Sequence, residues 1–414
     1  MPHLRFTTAG ESHGQALVAV LEGIPAGLPL LVADVDAELA RRQQGYGRGR
    51  RMQIERDHVE FLAGVRAGET TGAPIAMLVR NDDWRNWDAI MDPAPRAEDA
   101  DGPRARAVTR VRPGHADLVG LLKYDRTDAR DILERASARE TTARVAAGAV
   151  CKRLLATFGI SVASHLVHLG GLDATPPATW PADLNAVADQ SPLRTLDPVA
   201  EQAMIARVDD AKRAGDTLGG ICEIVCHGLP VGLGSHVSWD RKLDGRLAQA
   251  LMSIPAVKGV EIGIGFAAAR HPGSAVHDTI VNQHATPSGH GAPRRASNRA
   301  GGLEGGITTG EPLVLRVAMK PISTLMRPLG TVDVRTGEAA AASVERSDVT
   351  AVPAMGVIAE AMTAVVLAHA LLEKCGGDSL GELRRNLDGY LAHTSGRVPS
   401  VAPAAIAADA SVAP

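Results

Sequence analysis

The chain has 414 residues, 45% of them apolar and 22% charged, with 44 basic against 47 acidic side chains and a formal net charge of −3. That balance excludes a disordered or fibrous chain and a global basic field of the kind that holds nucleic acid non-specifically. Aromatics are only 3% against 43 glycines, so the core is built from small and aliphatic side chains, and the composition argues against base-stacking platforms.

The opening MPHLRFTTAGESHG has no apolar run of the secretory kind. Leu4 and Phe6 alternate with polar neighbours as a short strand, Gly10 to Gly14 make a turn, and Leu17 to Leu21 read as a second strand. Gly10-Glu11-Ser12-His13-Gly14 fits the G-x-S-x-G pattern of a hydrolase elbow. Such an elbow follows a central strand and needs an oxyanion donor from an earlier loop, whereas one short strand precedes Ser12 here. The segment reads instead as a tight loop presenting Ser12 and His13, with glycines that let a ligand approach the backbone. The plainer alternative is a turn with a solvated histidine.

A helix is expected from Val35 to Gln44, with Asp34 as N-cap, Gly45 as its stop, and Arg41 and Arg42 in its last turn. The stretch RRQQGYGRGRRMQIER carries Arg41, Arg42, Arg48, Arg50, Arg51 and Arg56 against Glu55 alone. As an RNA-binding segment it offers only Tyr46 for stacking. A pocket for a small polyanion is more economical, because guanidinium forks take phosphate and carboxylate bidentately. A solvated basic face is the bland alternative. Asp92 to Pro103 reads as a surface loop. Arg110-Val111-Arg112-Pro113-Gly114-His115-Ala116-Asp117 forms a second histidine loop on a Pro-Gly turn, with His115 a candidate proton carrier and Asp117 its alternative structural partner.

Ser137-Ala138-Arg139-Glu140 has the form of a capping box opening a long helix to about Phe158. Arg135 and Arg139 flank that start, where the helix dipole disfavours cations, a local conflict often found at anion sites. Ala174 to Pro198 reads as irregular, while Leu218–His227, Val260–Phe266 and Leu313–Met319 read as strands. Cys151, Cys222, Cys226 and Cys375 are too scattered for a disulfide framework, which suits a reducing cytoplasm. Cys222, Cys226 and His227 read as part of a strand rather than a metal site, and no metal is expected. Ser297 to Gly306 supplies glycines able to cradle phosphate, but no G-x-G-x-x-G lies between a strand and a helix. Val352 to Cys375 is a helix apolar nearly all round, hence buried, ending at Gly376; Glu360 and His369 argue against a membrane span. No repeat is visible, and the Ala/Pro/Val-rich tail 398–414 reads as disordered after one catalytic domain, 1–397.

In order along the chain, TTAGESHG, RRQQGYGRGRR, RPGHAD, RASARET, IPAVKGVEIG, SNRAGGLEGGI, MKPIST and ERSD resemble the motifs of the chorismate synthase family from Phe6 to about Leu372. The resemblance implies an α+β fold, a β-α-β sandwich of long helices between two antiparallel sheets, assembled as a homotetramer. It implies a lyase that converts 5-enolpyruvylshikimate 3-phosphate to chorismate by 1,4-anti elimination of phosphate, with reduced FMN and no net oxidation. By position in the motifs, Arg42, Arg48, Arg112 and Arg139 would grip the substrate's phosphate and carboxylates beside Ser12. His13 would protonate the departing phosphate, His115 would serve the N1 and O2 side of the reduced flavin, and Asp348 would assist at N5. For FMN the motifs carry over to Arg135, Ala136, Ser137, Pro255, Ala256, Gly305, Lys320, Pro321, Ile322, Ser323, Thr324 and Arg346. Two departures stand out: Ala136-Ser137 where many members have two serines, and Arg346-Ser347-Asp348-Val349 where many read Arg-His-Asp-Pro. The family is also associated with NADP, yet the nicotinamide fingerprint is missing, so a separate source of reduced flavin is expected.

Overall fold

The computed structural model describes residues 4–49, 56–95, 107–281, 293–345, 347–395 and 397–398. The first sheet comprises β1 (Arg5–Ala9), β2 (Ala16–Glu22), β3 (Val59–Ala63) and β4 (Ile75–Arg80), all antiparallel in the order β1-β2-β4-β3. Strict alternation makes it one-sided. Leu17, Ala19 and Leu21 on β2, and Ile75, Met77 and Val79 on β4, are buried on the same face, while the residues between them are not.

The second sheet contains β5 (Ser161–Leu169), β6 (Leu172–Asp173), β7 (Gly220–His227), β8 (Val257–Ile262) and β9 (Leu313–Met319), antiparallel in the order β8-β9-β7-β5-β6. Its central strand β7 is buried almost throughout, and Cys222 and Cys226 lie in it as small core side chains.

Between the sheets run α4 (Thr141–Thr157) and α7 (Val352–Cys375). They pack on each other, α4 also against β2 and β4 and α7 against β5, β7 and β9. This gives the β-α-β sandwich. The helices approach closely because small residues face each other: a Cβ on Gly148 would sit 2.4 Å from the Cβ of Ala361. The 24-residue α7 is long and apolar enough to cross a membrane by composition, but it is the buried core helix of this fold. Flanking the core are α1 (Val32–Gln43), α2 (Asp117–Tyr124), α3 (Arg130–Ala136), α5 (Pro198–Ala214), α6 (Leu243–Met252) and α8 (Leu380–Ser395).

Several boundaries differ from expectation. The first helix starts at Val32, and Asp34 sits inside it, accepting from the backbone N–H of Leu31 at 2.8 Å rather than standing at the cap. The capping box is only half made: Ser137 accepts from the Arg139 backbone at 3.3 Å, but Glu140 accepts from Thr8 and Arg144. A single 3-10 turn, Ala138–Glu140, separates Ser137 from α4, and α3 precedes it. Tertiary partners outbid the local cap. The strand expected over Val260–Phe266 runs from Val257 to Ile262, because Gly263 and Gly265 turn the chain with φ of 58° and 49° into a 3-10 helix. Ala174–Pro198 holds a short helix, Leu184–Ala188, and Asp197 caps α5 through Val199 and Ala200. Most of the Asp92–Pro103 loop and the 398–414 tail lie outside the described residues.

Candidate active site

Loops at the rim of the helical layer bring the singled-out residues into three connected groups. The first is built on the Gly10–Gly14 turn. A Cβ on Gly10, at φ 106°, would lie 2.4 Å from the carbonyl oxygen of Ala16, so only glycine closes this turn. The turn docks on the end of α3: the Ser12 N–H donates to the Glu134 carbonyl at 2.9 Å, and the Ser137 hydroxyl meets the buried Ser12 hydroxyl at 3.2 Å. Arg135 donates to the carbonyls of Gly10 and Thr8.

His13 is clasped in this group. Its Nδ1 lies 2.8 Å from Glu134 Oε2, its backbone N–H donates to the same oxygen at 2.9 Å, and its ring stacks on Trp87 with centroids 3.8 Å apart. Glu134 is 2% exposed and also accepts from Arg130 at 2.8 Å. Burial works to raise its carboxyl, but the bonds from His13 and the charge of Arg130 outweigh it and hold the group below the ordinary glutamate range. An ionised carboxylate only accepts, so Nδ1 is the protonated nitrogen in this pair.

The second group gathers the early arginines. Arg42 and Arg139, both buried, share the carboxylate of Asp57 at 3.3 and 2.6 Å. Burial first, with Arg139 and Arg48 nearby, pulls Arg42 down to about 10 despite Asp57. Arg48 donates to the Arg42 carbonyl at 3.1 Å and pairs with Asp348 at 2.9 Å; Asp348 also accepts from the Gly49 N–H at 2.6 Å.

The third group surrounds His115. Asp117 is fully buried and lies 2.5 Å from His115 Nδ1, while taking both Nε and the backbone N–H of Arg112. Burial would raise Asp117, but His115 and Arg112 hold it well below the usual carboxylate range. Arg112 also donates to Thr324 at 3.0 Å. Lys320 donates to the Gly114 carbonyl at 3.1 Å, and its backbone N–H bonds the carbonyl of Ala256, which stands at φ 66° after Pro255. Thr217 bonds the Ile322 carbonyl, and a Cβ on Gly114 would sit 3.7 Å from Ser323. Burial first, and Lys258 second, lower the ammonium of Lys320.

The groups are joined. Arg139 links to Ser137 through its backbone, and Arg112 approaches Glu345, three residues before Asp348, at 4.0 Å. A cavity of about 960 Å³ lies between α2 and α3, lined by Glu11, Ala116, Gly120, Glu134, Arg135 and Ala136 among others. Gly305, at φ 60° in a hairpin turn beside His236, is not hydrogen-bonded to the three groups among the described residues, and Arg346 lies outside those residues. Sequence reasoning missed Asp57, Trp87 and Glu134. The signal for the two acids was present: each is a carboxylate set within an arginine-rich segment, where it must neutralise or orient something.

Lys320, Ser323 and Thr324 bring one cation and two hydroxyls to the Pro113-Gly114 turn, and Arg135 adds a second cation beside the Gly10–Gly14 turn, a donor set that fits the phosphate and polyol of a flavin mononucleotide. Comparison with known proteins points the same way. A family model described as "Chorismate synthase" matches residues 4–372. The chain is 57% identical over 389 residues to a Pelobacter propionicus protein named chorismate synthase, covering 94% of this chain and 98% of the relative. It is 58% identical over 393 residues to the one from Salinispora tropica, with the same coverages. A solved structure titled "Crystal Structure of Chorismate Synthase" matches with a TM-score of 0.75 and 42% identity, covering 95% of this chain and 98% of that one.

Proposed function

The chain belongs to the chorismate synthase family of shikimate-pathway lyases, and from that premise we propose that it converts 5-enolpyruvylshikimate 3-phosphate to chorismate and phosphate by 1,4-anti elimination. The observation that carries the assignment is the pairing of a buried arginine set with two histidines, each oriented by its own buried carboxylate. A substrate with one phosphate and two carboxylates needs several cations in a place water does not screen, and Arg42, Arg48, Arg112 and Arg139 supply them beside Ser12.

His13, fixed by Glu134 and Trp87, delivers a proton from Nε2 to the departing phosphate. Arg135, Ala136, Ser137, Pro255, Ala256, Gly305, Lys320 through Thr324 and Arg346 would hold FMN, which in its reduced form would supply electron density to the elimination without net oxidation. His115, set by Asp117, holds a proton for the N1 and O2 edge. Asp348, whose carboxylate is held by Arg48 and the Gly49 N–H, would assist at the N5 side of the flavin. Ala136 forgoes a hydroxyl that many members of the family carry, so its side chain would give FMN no hydrogen bond.

The active unit is a homotetramer of one-domain chains spanning 1–397, working in the cytoplasm and drawing reduced flavin from a separate reductant. One continuous core from Leu4 to Leu387 supports the single domain. The test is anaerobic incubation with substrate and FMN, following chorismate. Dithionite should start the reaction and NADPH alone should not. Absence of chorismate with dithionite overturns the activity; sustained production with NADPH alone overturns the external reductant.

A further inference from the structure

Two guanidiniums in the second group share one carboxylate, and all three are almost completely buried: Arg42 is 3% exposed, Arg139 6% and Asp57 4%. Like charges this close, away from water, repel strongly unless a counter-charge lies between them. Asp57 gives one oxygen to each, Oδ1 to Arg139 at 2.6 Å and Oδ2 to Arg42 at 3.3 Å. Its own backbone N–H donates to Gln43 Oε1 at 3.2 Å, which fastens it to the end of α1. The remaining nitrogens of Arg42 point to Thr141 Oγ1 and the Ala138 carbonyl, at 3.1 and 3.3 Å.

We propose that Asp57 is a positioning residue for the substrate: by dividing its two oxygens between Arg42 and Arg139 it holds both guanidiniums side by side to receive one anionic group. The inference rests on the proposed role of those arginines as substrate ligands. It goes against the simplest electrostatic expectation. A carboxylate that merely sat near an anion site would repel the ligand, so its removal should tighten binding; a carboxylate that sets the guanidiniums should weaken binding when removed. The sign of the effect separates the two.

Asp57→Asn keeps shape but places an amide donor against a guanidinium. With the full chain and oxidised FMN, calorimetric titration of 5-enolpyruvylshikimate 3-phosphate, run well below the variant's unfolding midpoint, should show affinity about ten- to a hundredfold weaker, the size of a lost charged hydrogen bond, with FMN affinity retained; the midpoint itself should fall, because two buried guanidiniums lose their shared counter-charge. KM should rise by more than kcat falls, and Asp57→Glu should recover part of the loss. Parental or tighter binding by Asp57→Asn overturns the proposal. Arg42→Ala, measured alongside, separates the two levels: parental affinity there removes the arginine assignment itself, whereas weak binding there with parental binding in Asp57→Asn removes only the positioning role. Should Asp57→Asn fail to fold, Gln43→Ala, which frees the backbone of Asp57 but keeps its charge, should weaken substrate binding several-fold, and unchanged affinity in that variant overturns the proposal.

Discussion

His13 is held by three contacts to two parts of the chain: its ring meets the Glu134 carboxylate on α3 and stacks on the Trp87 indole, and its backbone N–H donates to the same carboxylate. Rotation about its side chain would cost both ring contacts, which fixes the ring in one orientation. His13→Ala should lower turnover on the order of a hundred- to ten-thousandfold, as for loss of a general acid. Glu134→Gln should lower kcat by about ten- to a thousandfold while substrate affinity stays near parental, because the amide still accepts from Nδ1 but no longer stabilises imidazolium. Single-turnover kinetics read both, and a parental rate in Glu134→Gln would remove the carboxylate from the mechanism. The arginines behave differently from one another. Arg48→Ala should weaken substrate binding by about 1.5–3 kcal/mol, and Arg48→Lys should restore only part, since lysine keeps the charge and loses the fork. Arg112→Ala should in addition lower the unfolding midpoint, because it leaves the fully buried Asp117 without its guanidinium. Equal stability of Arg112→Ala and the parent chain would contradict that buried pair.

At the scale of elements, the contact between α4 and α7 decides how tightly the sandwich closes. Gly148 faces Ala361, and an added Cβ would lie 2.4 Å from the facing Cβ and 2.8 Å from a backbone oxygen. Alanine gains about 1 kcal/mol of helix propensity over glycine. Overpacking costs about 1–3 kcal/mol, and here the opposing atoms are backbone and Cβ, which cannot swing aside. Gly148→Ala should therefore be less stable by urea unfolding, and a midpoint above the parent's would mean the helices stand further apart. Sequence patterning carried α7 because its composition is apolar on nearly every face, which no exposed helix tolerates, whereas α4 was read from its start signal. The helix start at Ser137 misled for a related reason. Glu140 has the spacing of a capping partner, but Thr8 and Arg144 offer it better bonds once β1 and α4 are assembled. Gly263 and Gly265 ended the strand at Ile262 through backbone freedom, a signal that lay in plain view within an apolar run.

The whole molecule is tied across its layers by one carboxylate. Glu360, fully buried in α7, accepts from Arg41 of α1, Lys152 of α4 and Ser164 of β5, and from Arg194, at 2.6 to 3.1 Å. Burial alone would push its carboxyl up, but three cations overcome this and hold it far below the ordinary glutamate range. Asp117, Glu134 and Glu223 are lowered in the same way. A carboxylate whose folded pKa lies below its unfolded value, about 4, binds fewer protons folded than unfolded, so its contribution is present above that pH and lost as pH falls through the folded pKa. Urea midpoints should hold from pH 7 to about 5 and fall steeply below about 4, where these groups take up protons on unfolding. Glu360→Gln should cost about 3 kcal/mol at neutral pH, because Arg41, Lys152 and Arg194 lose their fully buried shared counter-charge and keep only Glu38 and Asp189, and it should flatten the acid limb. A parent midpoint indifferent to acid would mean the buried carboxylates are not charged in the folded chain.

Composition and spacing by themselves determined the core of small side chains, the strands around the first turn, the long apolar helix, and the arginine, histidine and serine residue types of the candidate site. These are properties of single segments, so periodicity, glycines and clustered charge record them. The eight motifs in order identified the family and, through it, the sandwich. What only the tertiary structure decided is which charges meet: that Arg42 and Arg139 converge on Asp57, that His13 rests on Glu134 and Trp87, and that Arg41, beside Arg42 in sequence, turns the other way to Glu360. Adjacent residues on a helix point about 100° apart, so neighbouring arginines serve different layers, and pairing across tens or hundreds of residues is set by packing, which no local pattern encodes.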